Sequence, residues 1–152
     1  MGLDRRTARG THAVFFVALW RVARAVILNS APALPNMGVT YDGVVCSVSV
    51  EYLTNPAAVF ASVAGMLRAQ GSFANAFSNR CFPSKAIALW ARLQPFERMA
   101  FVADEYARSG AYGPCTMQSM SGAPRPPDDD YAYQMPDADP VYFITANSTT
   151  SA

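Results

Sequence analysis

Glu51, Asn79 and Arg80 are the side chains of this sequence best suited to handling a polar ligand. A carboxylate such as Glu51 orients or deprotonates a heteroatom when a cleft raises its pKa; at a strand exit it is otherwise a solvated residue. Arg80, with Asn79 beside it, has the planar fork that pairs an acidic group bidentately. The same arginine is equally suited to pinning its loop to the acidic run Asp128, Asp129 and Asp130. Three adjacent carboxylates cannot all face one cation, so that run reads as a solvated acidic loop and no metal site is expected. Cys46, Cys81 and Cys115 are widely spaced, with no CxxC and no histidine nearby, which argues against a disulfide framework and a structural zinc site. A reducing compartment, cytoplasmic or organellar, is the expectation. Cys81 has no base in view and reads as a buried thiol. The single histidine, His12, ties any imidazole relay to the N-terminal segment. No catalytic constellation emerges, and the catalytic residues stay unassigned.

These residues need elements to position them. Val44, Val45, Cys46, Val48 and Val50 form a β-rich run of the kind buried on both faces of a sheet. Asn55 and Pro56 then read as N-cap and first helical residue, and Val59, Phe60, Val63, Met66 and Leu67 repeat at helical spacing up to Gly71. The spacing predicts a helix from about Pro56 to Arg68. Ser72 to Ser78 is a second strand candidate, so the two strands and the helix between them make a parallel βαβ unit. Two further helices are expected, one after Pro83 with Ala86, Ile87, Leu89, Trp90 and Leu93, and one from Pro95 to Gly110 with an aromatic stripe of Phe96, Phe101 and Tyr106 as core. Residues 115–120 and 140–146 are strand candidates on either side of a Pro/Asp-rich loop, 122–140, and are expected to pair antiparallel.

The 152 residues, 51% hydrophobic and 15% charged, suit one globular domain. Charge is unevenly spread: five arginines and one aspartate lie in residues 1–40, whereas seven basic and ten acidic groups lie in residues 41–152. An acidic main body without a Lys/Arg cluster argues against a nucleic-acid partner. Arg21 and Arg24 interrupt the apolar stretch 12–28, which leaves Ala13 to Trp20 too short to span a bilayer. Residues 1–26 therefore read as an atypical N-terminal segment: transit-like, a mispredicted exon, or a buried helix or strand of the domain.

Residues 40–82 resemble the fourth strand, following helix and fifth strand of type-11 class I S-adenosylmethionine-dependent methyltransferases. Tyr41-Asp42 supplies the aromatic-Asp opening, Tyr52-Leu53 the exit, and Met66-Leu67-Arg68-Ala69-Gln70-Gly71 the turn that usually reads Val-Leu-Arg-Pro-Gly-Gly. Ala69 and Gln70 stand where Pro and the first Gly would be, leaving Gly71 to take the left-handed cap. The closer likeness is to a branch of this superfamily carrying Phe-Ser-Asn-Arg-Cys-Phe after the fifth strand and Asp-Pro-aromatic-Tyr at the last one. Phe77-Ser78-Asn79-Arg80-Cys81-Phe82 and Asp139-Pro140-Val141-Tyr142 match these.

The resemblance covers residues 27–147, with 148–152 a tail. It implies an α/β fold: a partial Rossmann-like methyltransferase sheet of parallel strands with a C-terminal antiparallel hairpin. It further implies S-adenosylmethionine as methyl donor and a small-molecule acceptor. Ligands of open α/β sheets bind outside the carboxyl ends of the strands. Ser47 and Val48 are accordingly placed beside the methionine part of the donor, unless they simply end a buried strand, and Glu51, Asn79 and Arg80 on the acceptor side. Leu28 and Asn29 fall in the donor-side stretch that usually reads Asp-Leu-Asn, where Ile27 replaces the adenine-contacting Asp. No G-x-G-x-G occurs, so the turn that lets backbone approach the donor's methionine tail is missing, as is the acid for its ribose. The expectation is a truncated methyltransferase with impaired donor binding. The rival is a non-catalytic fragment that binds a partner chain along the exposed sheet edge.

Overall fold

A computed structural model describes residues 14–19, 22–34 and 40–150. Strands β1 (Val14–Leu19) and β2 (Val22–Ile27) pair antiparallel in a sheet of their own. The apolar stretch of the N-terminal segment is thus a hairpin where described, and β2 ends one residue past position 26. Leu28, immediately after it, is buried in the core.

The main sheet has four strands in the order β3-β4-β6-β5. Strand β3 (Tyr41–Ser47) runs parallel to β4 (Leu67–Ser78), and helix α1 (Pro56–Ala64) connects them. The Asn55 side chain accepts a hydrogen bond from Ala58 N–H, capping α1 as its position before Pro56 predicts. Helix α2 (Pro95–Ser109) opens with a reciprocal Gln94/Glu97 capping box and closes on Gly110 in the left-handed region. Strands β5 (Thr116–Met120) and β6 (Val141–Asn147) form the expected antiparallel hairpin, with β6 inserted between β4 and β5. The chain is therefore an α/β domain built on a four-stranded mixed sheet.

Register puts Val44 opposite Phe73, Phe73 opposite Ala146, Asn75 opposite Ile144 and Phe77 opposite Tyr142, so these residues share one face. The helices cover that face: the Phe60 ring of α1 lies 5.0 Å from Phe73, and the Tyr106 ring of α2 lies 4.7 Å from Phe60. Each fully buried Phe contributes about 1.5–3 kcal/mol relative to exposure.

Four expectations need correction. Strand β3 is not buried on both faces: Gly43, Val45 and Ser47 are exposed, because β3 is the edge strand of the sheet and its outer face is uncovered by described residues. The helix after Pro56 stops at Ala64, since Met66 O already accepts from Tyr41 N–H and Leu67 pairs with Tyr41. No helix follows Pro83; the segment is a set of turns with one short 3-10 turn at Trp90–Arg92. Ile87 N–H is drawn to Glu51 O at 3.0 Å and cannot serve a helix. Phe96 lies exposed in the first turn of α2, so only Phe101 and Tyr106 of the aromatic stripe reach the core.

The turn into β4 carries a further difference. Gln70, not Gly71, has the positive φ, at 63°. Gly71 is required for another reason: a Cβ there would lie 2.9 Å from Arg68 O and 3.1 Å from Tyr41 O.

Candidate functional site

The carboxyl ends of β3 and β4 lie side by side because the strands are parallel and in register from Gly43/Ser72 to Ser47/Ala76. This is the end of a parallel pair at which ligands bind. Ser47 is exposed and closes β3, its carbonyl accepting from Ser49 Oγ at 2.7 Å. Val48 follows at φ 48° with 52% of its surface exposed, and its N–H donates to Ala76 O at 2.8 Å. A β-branched residue in the left-handed region is strained by about 1–2 kcal/mol, and such strain gathers at functional sites.

Glu51 sits in the 3-10 turn Val50–Tyr52 and is 1% exposed, with no hydrogen-bond partner for either carboxylate oxygen. Burial pushes its pKa up, opposed by the nearness of its own backbone amide and by the charge of Arg98. It is thus a buried acid of raised pKa and not a solvated strand-exit residue. Trp90 Nε1 and Arg98 Nε are likewise buried and unpartnered. Sequence patterning hides both: Trp90 reads as apolar core, and Arg98 reads as an ordinary basic residue of a surface helix.

Asn79 and Arg80 follow β4, and each makes contacts within the protein through some of its polar atoms. Asn79 Oδ1 accepts from Tyr142 Oη at 3.2 Å and its carbonyl from Arg98 Nη1 at 3.4 Å. Arg80 pairs with Asp139 at 2.7 Å, and its guanidinium lies 5.1 Å from the centroid of the Tyr131 ring. Of its two sequence readings, the loop-pinning contact is the one formed, made through Asp139 and Tyr131 and not through an ion pair to the Asp128–Asp130 run. The loop itself is organised by Arg125, whose buried guanidinium bonds Met135 O, Asp137 O and Asp129.

Leu28 and Asn29 follow β2, the first buried and the second partly buried. Leu28 is core, and Asn29 clamps the exit of β3, donating to Tyr52 O at 2.9 Å and accepting from Thr54 N–H at 3.0 Å. The site therefore brings Ser47, Val48 and Glu51 together, with Asn79 and Arg80 beside them as structural links.

Cys46 is buried and its thiol pKa is pushed up by burial and then by Glu51; Cys81 and Cys115 are half-buried. Among the described residues no group of three or more His, Cys, Asp or Glu side chains could hold a metal ion. No helix among them is long and apolar enough to cross a membrane. His12 lies outside the described residues. No family model and no curated protein matches the chain.

Proposed function

We propose that this chain is the C-terminal part of a class I S-adenosylmethionine-dependent methyltransferase domain, weakened in donor binding. The observation that carries the reading is a contact between its two most specific motifs. Phe77-Ser78-Asn79-Arg80-Cys81-Phe82 and Asp139-Pro140-Val141-Tyr142 lie far apart in sequence, yet Arg80 pairs with Asp139 and Asn79 with Tyr142. A shared latch gives both motifs a physical reason to occur together in one chain.

Two further observations support it. The parallel β3-α1-β4 unit followed by an antiparallel hairpin is the arrangement the resemblance implies for a partial Rossmann-like sheet. The left-handed Gln70 stands where the family pattern has its first Gly of the turn, a position whose backbone favours glycine.

On this reading the donor's methionine end lies against Ser47 and Val48. Methyl transfer from a sulfonium is an in-line displacement governed mainly by positioning, so an arrangement poor in acid–base pairs is compatible with it. The 152 residues hold no glycine-rich turn, and Ile27 stands in place of an adenine-binding Asp. With the ribose acid also missing, three polar contacts at about 1–3 kcal/mol each weaken the donor by roughly two to six powers of ten. Isothermal titration and a methyl-transfer assay test this: millimolar or weaker donor affinity and no transfer are expected. Micromolar affinity would mean that other residues build a replacement site.

The second reading is a non-catalytic interaction module, favoured by the outer edge of β3. That edge has no paired strand among the described residues, and Val45 on it is 68% exposed. Open edges of this kind pair with other chains.

A further inference from the structure

Strands β1 and β2 form a sheet of their own, and the main sheet ends at β3 with no strand paired to its outer edge among the described residues. A two-stranded hairpin is marginal by itself, and every residue of β1 and β2 except Arg24 is apolar, so this hairpin needs a surface to lie on. The β3 edge offers one. Backbone groups alternate in side along a parallel strand. Val48 N–H donates to Ala76 O, so Val44 and Cys46 face β4, and Gly43, Val45 and Ser47 turn their N–H groups outward. From Gly43 to Ser47 the edge holds no charge, no proline and no bulge, the devices that keep an open edge from pairing.

The chain leaving β2 fixes where the hairpin is tethered. Asn29, just past the end of β2, donates to Tyr52 O and accepts from Thr54 N–H, so β2 ends at the carboxyl end of β3. Leu34 N–H then donates to Ser62 Oγ at 2.7 Å, and Leu28 and Leu34 both pack on the core. The connection therefore passes over the face that carries α1. Residues 28–40 separate β2 from β3, roughly the dozen or more that a crossover between parallel strands requires. A β2 on the far side of β3 would run parallel to it. Its connection, moving in the same direction over the same face as α1, would have the hand of the β3-α1-β4 unit, and connections of one hand dominate in parallel sheets. The six residues of β2 and seven of β3 are also matched in length.

We propose that the β1-β2 hairpin docks along the outer edge of β3, with β2 parallel to β3. The inference goes beyond both functional readings and competes with the second, because an edge filled by β2 is closed to another chain.

Amide hydrogen exchange and NOEs of the full-length labelled protein test it. Exchange at Gly43, Val45 and Ser47 is expected to be slowed by about a hundredfold or more, close to Val44 and Cys46, with amide–Hα NOEs linking residues 22–27 to 43–47. Ala25→Pro, which breaks β2, is expected to speed the three outward amides by about tenfold or more while Val44 and Cys46 stay slow. Outward amides that exchange freely in the parent, beside slow Val44 and Cys46, would overturn the proposal. So would slow exchange without those NOEs, and so would protection that grows with concentration alongside a dimeric mass in light scattering, the mark of a second copy on the edge. Unchanged protection in Ala25→Pro would assign the edge to another segment and reject β2. Should that variant unfold, the parent NOEs decide alone. S-adenosylmethionine enters none of these measurements, so failure here and failure of the methyltransferase reading are distinguishable.

Discussion

Arg80, just beyond β4, and Asp139, just before β6, are joined by an ion pair of 2.7 Å, and the same Asp139 carboxylate also faces Arg125 at 3.5 Å. One carboxylate thereby fastens the Pro/Asp loop both to its own internal clasp and to the end of the parallel strands. Arg80 and Asp139 are both partly exposed, so solvent screens the pair and its coupling is modest, about 0.5–1 kcal/mol. A double-mutant cycle with Arg80→Ala and Asp139→Ala, read by urea denaturation, is expected to show that coupling. Asp139→Ala alone should cost more than Arg80→Ala, because it also deprives Arg125; the reverse order would contradict the shared-carboxylate account.

The turn into β4 separates two roles that a glycine pair usually fills together. Gln70 holds the left-handed backbone, and Gly71 makes the close approach. Gln70→Gly is expected to stabilise by about 0.5–1 kcal/mol, the left-handed penalty less the entropy of an added glycine. Gly71→Ala should lose about 1–3 kcal/mol through overpacking against Tyr41 O and Arg68 O. Thermal unfolding of the two variants checks both signs; loss of stability in Gln70→Gly would show that the conformation is not a strained one.

Burial raises the Glu51 pKa above the ordinary 4.5, so the folded protein holds this proton more tightly than the unfolded chain does. The resulting stability is fully present below pH 4.5 and is lost as pH rises through the raised folded value. Glu51→Gln, neutral throughout, is expected to be more stable than the parent at neutral pH and close to it at about pH 4. Urea midpoints at the two pH values decide it; a Gln variant less stable than the parent at neutral pH would mean the carboxylate has a partner.

In the core, Tyr106 Oη accepts from Asn75 Nδ2 and donates to Phe73 O, each at 2.9 Å. Asn75 Oδ1 has no partner, so this hydroxyl is the contact that supports its buried amide. Tyr106→Phe is expected to cost about 1–3 kcal/mol. Adding Asn75→Leu, which removes the stranded amide, should recover part of it; a double variant that loses the full sum of both single costs would show independent sites.

Much of this architecture was legible where the signals are local. Asn55-Pro56 announced the start of α1, Pro95 and Gly110 bracketed α2, and the strand patterns on either side of the Pro/Asp loop located the C-terminal hairpin. What local signals missed was decided by contacts distant in sequence. Residues 86–93 carry a helical pattern, but the demand of Glu51 O for a donor turns Ile87 away from it. Val45 looks buried until the position of β3 at the sheet edge is known. The candidate site was half legible: Ser47, Val48 and Glu51 follow from the ligand-binding end of a parallel strand. Asn79 and Arg80 were marked by motif, and their contacts to Tyr142 and Asp139 were not legible in it; Trp90 and Arg98 stand out only through their unsatisfied atoms.

The claim that these residues are the donor-side end of a methyltransferase sheet is tested most directly by titrating 15N-labelled protein with S-adenosylmethionine and following every backbone amide. The account predicts weak, saturable shifts in the millimolar range, confined to Ser47, Val48, Ser49 and Glu51. Shifts centred on the opposite end of β3 and β4, around Tyr41 and Ser72, or no shift at any donor concentration, would contradict it.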